Sequence, residues 1–164
     1  MIRILMFWAL VLPLPAAASE ERVARFEAFA RTVGPLCATA PSTRCFAEAF
    51  AGVDRDGDGG LTVAELERMR ADLGAWLPAR GEVLIPAERL WLGLWVRLVD
   101  VVGLDALHAA YDTDDDGSLS PNELAADIAL DERPMPVVLR DADAVDWDQM
   151  QARVGALAGA LVPR

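Results

Sequence analysis

The stretch "DRDGDGGLTVAE", residues 54–65, has aspartate at its first, third and fifth positions and glutamate at its twelfth. The stretch "DTDDDGSLSPNE", residues 112–123, repeats this arrangement. Both stretches have glycine at the sixth position, where a chain that reverses direction needs a left-handed backbone. An acidic surface turn could account for one such string. Two strings with the same spacing and the same last residue indicate a common function.

The spacing of the acidic residues suits the ligand requirements of calcium. Calcium takes roughly six to eight oxygen ligands, and alternate positions of a curled loop point toward one ion. Position 7 contributes its backbone carbonyl, position 9 holds a water, and the glutamate at position 12 contributes both carboxylate oxygens. We therefore predict two calcium ions, one held by Asp54, Asp56, Asp58, Gly60, Thr62 and Glu65, the other by Asp112, Asp114, Asp116, Ser118, Ser120 and Glu123.

Both stretches resemble the loops of the EF-hand family, and in export and acidity the chain loosely resembles reticulocalbin-like proteins. The resemblance implies an all-α fold of helix-loop-helix units, with additional packing helices and a short two-stranded β-bridge between the loops, centred on Leu61 and Leu119. The loops start 58 residues apart, against roughly 36 for adjacent hands. We expect the excess to form an extra helix around Pro86 to Val102, with the loops still facing each other.

A degenerate hand is the alternative partner for a complete loop. In "DADAVDWDQM", residues 141–150, Asp141 and Asp143 fit positions 1 and 3, Val145 fits position 8, and Gln149 replaces the glutamate. This segment lacks the turn glycine and the bidentate ligand. We expect weak calcium binding there, or none. For the complete loops, the alternatives are an acidic turn and a loop that no longer binds calcium.

Residues 1–18 have the composition of a secretory signal peptide. Arg3 precedes an apolar run over residues 4–12, and a small-residue cleavage site follows at residues 16–18. An uncleaved membrane anchor is the alternative, but the run is shorter than the roughly twenty residues that a span requires. We predict a single mature domain, residues 19–164, that is periplasmic or secreted and not associated with the membrane.

The two cysteines, Cys37 and Cys45, are predicted to form a disulfide because export places the chain in an oxidising compartment. Closing so short a loop would stabilise the fold by on the order of 2 to 3 kcal/mol.

Apolar spacing and capping residues predict the other helices. One begins at Ser19 and ends at Gly34, before Pro35, and a second is capped by Ser42. A helix that follows Glu65 is interrupted at Pro78 and Gly81. An amphipathic helix is predicted over "LAADIALDE", residues 124–132.

Composition limits the classes of function. The chain has 26 acidic residues, 15 basic residues that are all arginine, and a net charge of -11. Nucleic acid is not expected as a partner because these arginines are dispersed along the sequence. Enzyme activity is not expected, since His108 is the sole histidine, no nucleophile motif is present, and the best carboxylate clusters are assigned to calcium.

These exclusions leave a calcium-binding protein that acts as a buffer or as a calcium-stabilised structural or interaction module. The alternative is a calcium sensor that presents an apolar surface, formed by Trp76, Trp91 and Trp95, to a protein or membrane partner.

Overall fold

The computed structural model describes residues 16–161, except for a few side chains that include those of Trp91 and Trp95. The helices are α1 (Ala16–Thr39), α2 (Ser42–Val53), α3 (Val63–Arg80), α4 (Pro86–Val102), α5 (Leu104–Tyr111), α6 (Pro121–Leu124), α7 (Met135–Val138) and α8 (Trp147–Leu161). Short 3-10 segments occupy Gly81–Val83 and Ala142–Ala144. The described residues include no β-strand, in agreement with the predicted all-α class. Most of the predicted signal peptide, residues 1–15, lies outside the description.

Two helix-loop-helix units form the centre of the fold. Helices α2 and α3 flank the first acidic loop, and α5 and the short α6 flank the second. Between them lies a core of the buried residues Phe50, Leu61 and Leu119. Partly buried hydrophobic residues pack around this core, namely Phe46, Val53, Leu66, Tyr111 and Leu124.

The two loops face each other through Leu61 and Leu119. Each backbone N–H donates to the carbonyl of the other leucine at 2.9 Å, which forms one isolated antiparallel bridge. The pairing is therefore limited to a single residue in each loop. Helix α4 lies in the chain between the two units and begins at Pro86, as predicted.

Two helices continue past prolines that were predicted to end them. Helix α1 includes Pro35 and reaches Thr39, and α3 includes Pro78 but ends at Arg80, directly before the predicted interruption at Gly81. A proline inside a helix removes the hydrogen bond to the carbonyl four residues earlier. For Pro35 that residue is Arg31, which is exposed, so solvent can satisfy its carbonyl. The end of α1 is also held by the Cys37–Cys45 disulfide to α2, with the Cα atoms 4.6 Å apart.

The predicted cap at Ser42 is wrong. Pro41 occupies the cap position, and Ser42 is the first residue of α2 and fully buried. The Ser42 hydroxyl donates to the carbonyl of Asp131 at 2.9 Å and accepts from the Asp131 N–H at 2.8 Å. A contact with a distant segment has therefore replaced the local cap.

The prediction of a helix over residues 124–132 is also wrong. Helix α6 ends at Leu124, and Ile128 instead forms an isolated antiparallel bridge with Val145. Two hydrogen bonds flank this bridge: the Ala129 N–H donates to Ala144 at 2.8 Å, and the Asp146 N–H donates to Asp127 at 2.9 Å. These hydrogen bonds satisfy backbone groups that a continued helix would have paired locally.

Helix α1 packs along α3 through ionic and aromatic contacts. The Arg25 guanidinium donates to both carboxylate oxygens of Asp72, at 2.9 and 2.7 Å. The rings of Phe26 and Trp76 are 5.1 Å apart, and Trp76 is 7% exposed. Trp76 therefore belongs to the core and not to the surface predicted for a sensor. Within residues 16–161, no helix is both long enough and apolar enough to span a bilayer.

Candidate metal centres

The first loop is organised by its first aspartate. Asp54 follows the last residue of α2, and its carboxylate accepts from the N–H of Gly57 at 2.8 Å and from that of Gly59 at 3.0 Å. Gly59 has a φ of +89°, a conformation that an L side chain rarely adopts. The glycine at position 6 therefore allows the chain to fold back over the Asp54 carboxylate.

The second loop repeats this arrangement. The Asp112 carboxylate accepts from the N–H of Asp116 at 3.2 Å and from that of Gly117 at 3.0 Å, and Gly117 has a φ of +85°. Position 4 is also left-handed in both loops, with φ of +73° at Gly57 and +57° at Asp115. The two loops thus share a backbone shape despite different residues at this position.

Each loop brings three carboxylates together. Asp54, Asp56 and Asp58 each offer an oxygen within 4.8 Å of the others, and Asp112, Asp114 and Glu123 do the same in the second loop. Oxygens that coordinate one calcium at roughly 2.3 to 2.6 Å lie at most about 5 Å apart. The spacing and the hard oxygen donors therefore fit calcium. The remaining predicted carboxylate ligands, Glu65 and Asp116, lie in the same loops but outside these triads.

The two position-12 glutamates cap the helices that follow the loops. Glu65 accepts from the Arg55 N–H at 2.8 Å and from the Thr62 N–H at 3.0 Å, and Glu123 accepts from the Thr113 N–H at 2.7 Å and from the Ser120 N–H at 3.0 Å. Thr62 and Ser120 complete a capping box in each unit, because each hydroxyl accepts from the N–H of the glutamate.

These hydrogen bonds keep both glutamates ionised. Donation from the Arg55 N–H, and then from the Thr62 N–H, holds the pKa of Glu65 below its usual value of 4.5. Donation from the N–H groups of Ser120 and Thr113 lowers the pKa of Glu123 to about 2. Both side chains are therefore anionic at neutral pH, which is the state that binds a cation.

The position-7 residues lie against each other across the two loops. Gly60 is buried, and a Cβ atom added there would lie 2.5 Å from the Ser118 Oγ and 2.7 Å from the Ser118 Cβ. The absence of a side chain at Gly60 therefore lets the loops approach closely. Sequence reasoning assigned Gly60 only a carbonyl ligand and did not identify this packing role.

Sequence reasoning also missed the contacts of His108. This residue is 5% exposed, and its Nε2 lies 3.0 Å from the carbonyl oxygen of Leu61, at the centre of the first loop. The only signal in the sequence was the position of a lone histidine on the helix that leads into the second loop.

A buried polar cluster connects α8 to the second unit. The Tyr111 hydroxyl donates to the Asp127 carboxylate, and the Arg153 guanidinium lies 4.6 Å from the centre of the Tyr111 ring. Arg153 also donates to the carbonyl of Ala110 at 3.1 Å. Burial, and then donation to Asp127, raises the pKa of Tyr111 to about 12. The tyrosine therefore stays protonated and acts as a donor in this cluster.

The predicted degenerate hand over residues 141–150 has a different arrangement. Asp141 accepts from the Arg133 guanidinium at 2.6 Å and from the Asp143 N–H at 3.1 Å. Donation from Arg133 lowers the pKa of Asp141. Val145, predicted at position 8, pairs with Ile128 and not with either complete loop. In the described part of the chain, the acidic triads occur only in the two complete loops.

Comparison with known proteins identifies the same two segments. Residues 46–69 and 109–128 match the family model for the EF hand. Each match includes an acidic loop with helical residues on both sides. No curated protein and no solved structure matches the chain. The two matches and the carboxylate triads together support an EF-hand calcium-binding protein.

Proposed function

We propose that the protein binds two calcium ions, one in each loop, and acts as an exported, non-enzymatic calcium buffer or calcium-stabilised structural module. The observation that carries this proposal is the grouping of three carboxylates in each loop, with one oxygen from each within 4.8 Å of the others.

Calcium would relieve the repulsion within each triad. Like charges a few ångströms apart raise the free energy of the folded state, and a divalent cation between them reverses the sign of the interaction. A ligand that binds only the folded state stabilises it by about 2.7 kcal/mol per site at a hundredfold excess over its dissociation constant. The proposed ions would therefore stabilise both loops and the bridge between them.

The environment of Trp76 supports the structural role over the sensor role, because this side chain is already buried against Phe26. The exposed residues Leu90, Leu94 and Val101 favour the alternative, in which a sensor presents an apolar surface to a protein or membrane partner. They are 61%, 52% and 73% exposed and lie on one face of α4. The side chains of Trp91 and Trp95, predicted for that surface, are outside the described part.

Two further parts of the proposal rest on separate observations. Export to the periplasm or the exterior is supported by the composition of residues 1–18 and by the Cys37–Cys45 disulfide, which suits an oxidising compartment. A role without catalysis is supported by the engagement of His108 with a backbone carbonyl. N-terminal sequencing of the exported protein should give Ser19 as its first residue; an N-terminus at Met1 would contradict cleavage.

The calcium proposal is tested by isothermal titration of the calcium-depleted protein. We expect about two ions per chain, and about one in Glu65→Gln or Glu123→Gln, since each substitution removes a charged ligand. Glu48→Gln is the matched control, because Glu48 is exposed on α2 and outside both loops. Absence of binding up to several millimolar calcium would overturn the proposal.

The structural and sensor roles are separated by tryptophan emission and by binding of a hydrophobic dye during the same titration. Burial and ordering of tryptophans, with no increase in dye binding, is expected for a structural module. A red shift together with increased dye binding would favour the sensor.

A further inference from the structure

Helices α1, α2 and α3 enclose a cleft of about 490 Å³ on the first unit. Phe26, Phe29 and Val33 of α1 provide apolar lining on one side, and Val53 and Met69 provide it on the other. This volume lies within the roughly 300 to 1,000 Å³ of sites that bind small molecules. The cleft is distinct from the carboxylate triads, although Glu65 is one of its lining residues.

Four arginines meet at this cleft and at the depression beside it, which the structure places together from α1, the first loop and α3. Arg25, Arg55 and Arg68 line both spaces, and Arg22 lines the second. These four arginines are separated in the sequence and lie near one another only in the folded chain. Residues from separate elements converge because α1 packs along α3.

Three of these arginines have no acidic partner in the described part of the chain. Arg25 is engaged by Asp72 and Glu21. The guanidinium groups of Arg22, Arg55 and Arg68 form no ion pair or hydrogen bond with the described residues.

Four acidic residues also line the cleft and the depression, and among the described residues only one of them, Asp72, pairs directly with an arginine of these spaces. The Asp72 carboxylate receives both of its hydrogen bonds from Arg25, and the Glu65 oxygens accept from Arg55 N–H and from Thr62. Glu48 and Glu67 also line these spaces, but both are exposed and neither forms an ion pair with an arginine among the described residues. The guanidinium groups of Arg55 and Arg68 thus remain available beside an apolar wall.

We propose that this cleft binds a small amphipathic anion, namely the carboxylate of a medium-chain fatty acid. The alkyl chain would lie against the phenylalanines of α1, and its carboxylate would accept hydrogen bonds from Arg55 and Arg68. A guanidinium matches a carboxylate in geometry and charge, and its flat face tolerates neighbouring apolar groups. The cleft shares Arg55 and Glu65 with the first acidic loop, but decanoate binding is measured without calcium, so either proposal can fail without the other.

Isothermal titration of the calcium-depleted full-length protein with decanoate tests the proposal, since calcium itself would precipitate the probe. We expect one decanoate per chain, and about tenfold weaker binding in Arg55→Gln and in Arg68→Gln, because each loses a charge-assisted hydrogen bond. Arg44→Gln is the matched control, as Arg44 is exposed on α2 and does not line the cleft. Ala28→Trp, which places bulk at a lining position, should abolish binding.

Two further ligands separate the contributions of the carboxylate charge and of the alkyl chain to binding. Decyltrimethylammonium has the same chain with a cationic head, and acetate has the anion without the chain; both should bind at least tenfold more weakly than decanoate. Circular dichroism verifies that each variant is folded, and Arg55→Lys and Arg68→Lys, which keep the charge, should retain more affinity than the glutamine variants. Equal binding of decanoate and the cation, an unchanged affinity in both glutamine variants, or no binding of decanoate to the folded protein would overturn the proposal.

Discussion

The Nε2 atom of His108 lies 3.0 Å from the carbonyl oxygen of Leu61, so the helix that enters the second loop contacts the centre of the first. A carbonyl oxygen only accepts hydrogen bonds, and therefore Nε2 carries the hydrogen. The same carbonyl accepts from the Leu119 N–H at 2.9 Å. One backbone group thus joins both loops and α5.

Replacing His108 with alanine should destabilise the protein by about 1 to 3 kcal/mol, because it removes a buried hydrogen bond and leaves a cavity. His108→Gln should lose less stability than His108→Ala, since the glutamine amide N–H can approach the position of Nε2. Urea denaturation at neutral pH in chelator measures both changes in the free energy of unfolding. Equal losses in the two variants would show that the hydrogen bond contributes little.

The contact between Gly60 and Ser118 predicts a coupled pair of substitutions. Gly60→Ala should destabilise the protein by about 1 to 3 kcal/mol, because the new Cβ would overlap the Ser118 side chain. Removing that side chain in the Gly60→Ala, Ser118→Gly double variant should recover part of the loss. A double-mutant cycle by urea denaturation gives the coupling; additive losses would contradict a direct contact.

Replacing glycine with alanine should have opposite effects on stability in the first loop and in helix α3. Gly59→Ala should cost about 1 kcal/mol, since φ is +89° there and the surrounding space is open, so the cost comes from the backbone. Gly74→Ala is the matched control within α3, where space is also open, and it should stabilise the helix by about 0.5 to 1 kcal/mol. Thermal denaturation should give lower and higher midpoints respectively; shifts of the same sign would contradict this explanation.

The lowered pKa of Glu123 predicts how stability depends on pH. Hydrogen bonds from the N–H groups of Ser120 and Thr113 reduce this pKa from 4.5 to about 2 in the folded state. Between these values the unfolded chain binds more protons, so the stabilisation is complete above about pH 4.5 and is lost as pH falls toward 2. The difference in unfolding free energy between the protein and Glu123→Gln, measured in chelator, should shrink over that range. A constant difference would contradict the assignment.

Local chemistry explains why the acidic loops could be identified from the sequence. The predicted calcium ligands, the glycine at position 6 and the capping glutamate all lie within twelve residues in the stretches 54–65 and 112–123. Their hydrogen bonds, such as those from Gly59 to Asp54 and from Thr62 to Glu65, also lie within one loop. The predicted start of α4 at Pro86 follows from local preference as well, because proline is favoured in the first helical turn.

Tertiary contacts overrode local preference elsewhere. Serine is favoured at helix N-caps, but the Ser42 hydroxyl instead forms hydrogen bonds with the backbone of Asp131. Residues 124–132 have helical spacing, but Ile128 pairs with Val145, whose backbone belongs to a segment 17 residues away. The sequence left Trp76 as part of the surface of an alternative sensor, and the packing of α1 against α3 buries it.

The sequence by itself therefore determined the all-helical class and the two candidate calcium loops, since each loop contains its own ligands and turn residues. Only the tertiary structure decided that Gly60 packs on Ser118 and that His108 contacts the first loop. It also brought Arg55 and Arg68 to one cleft with Arg25, and to the adjacent depression with Arg22. The physical reason is that these arrangements depend on contacts between residues far apart in the chain, which the packing of the helices brings together.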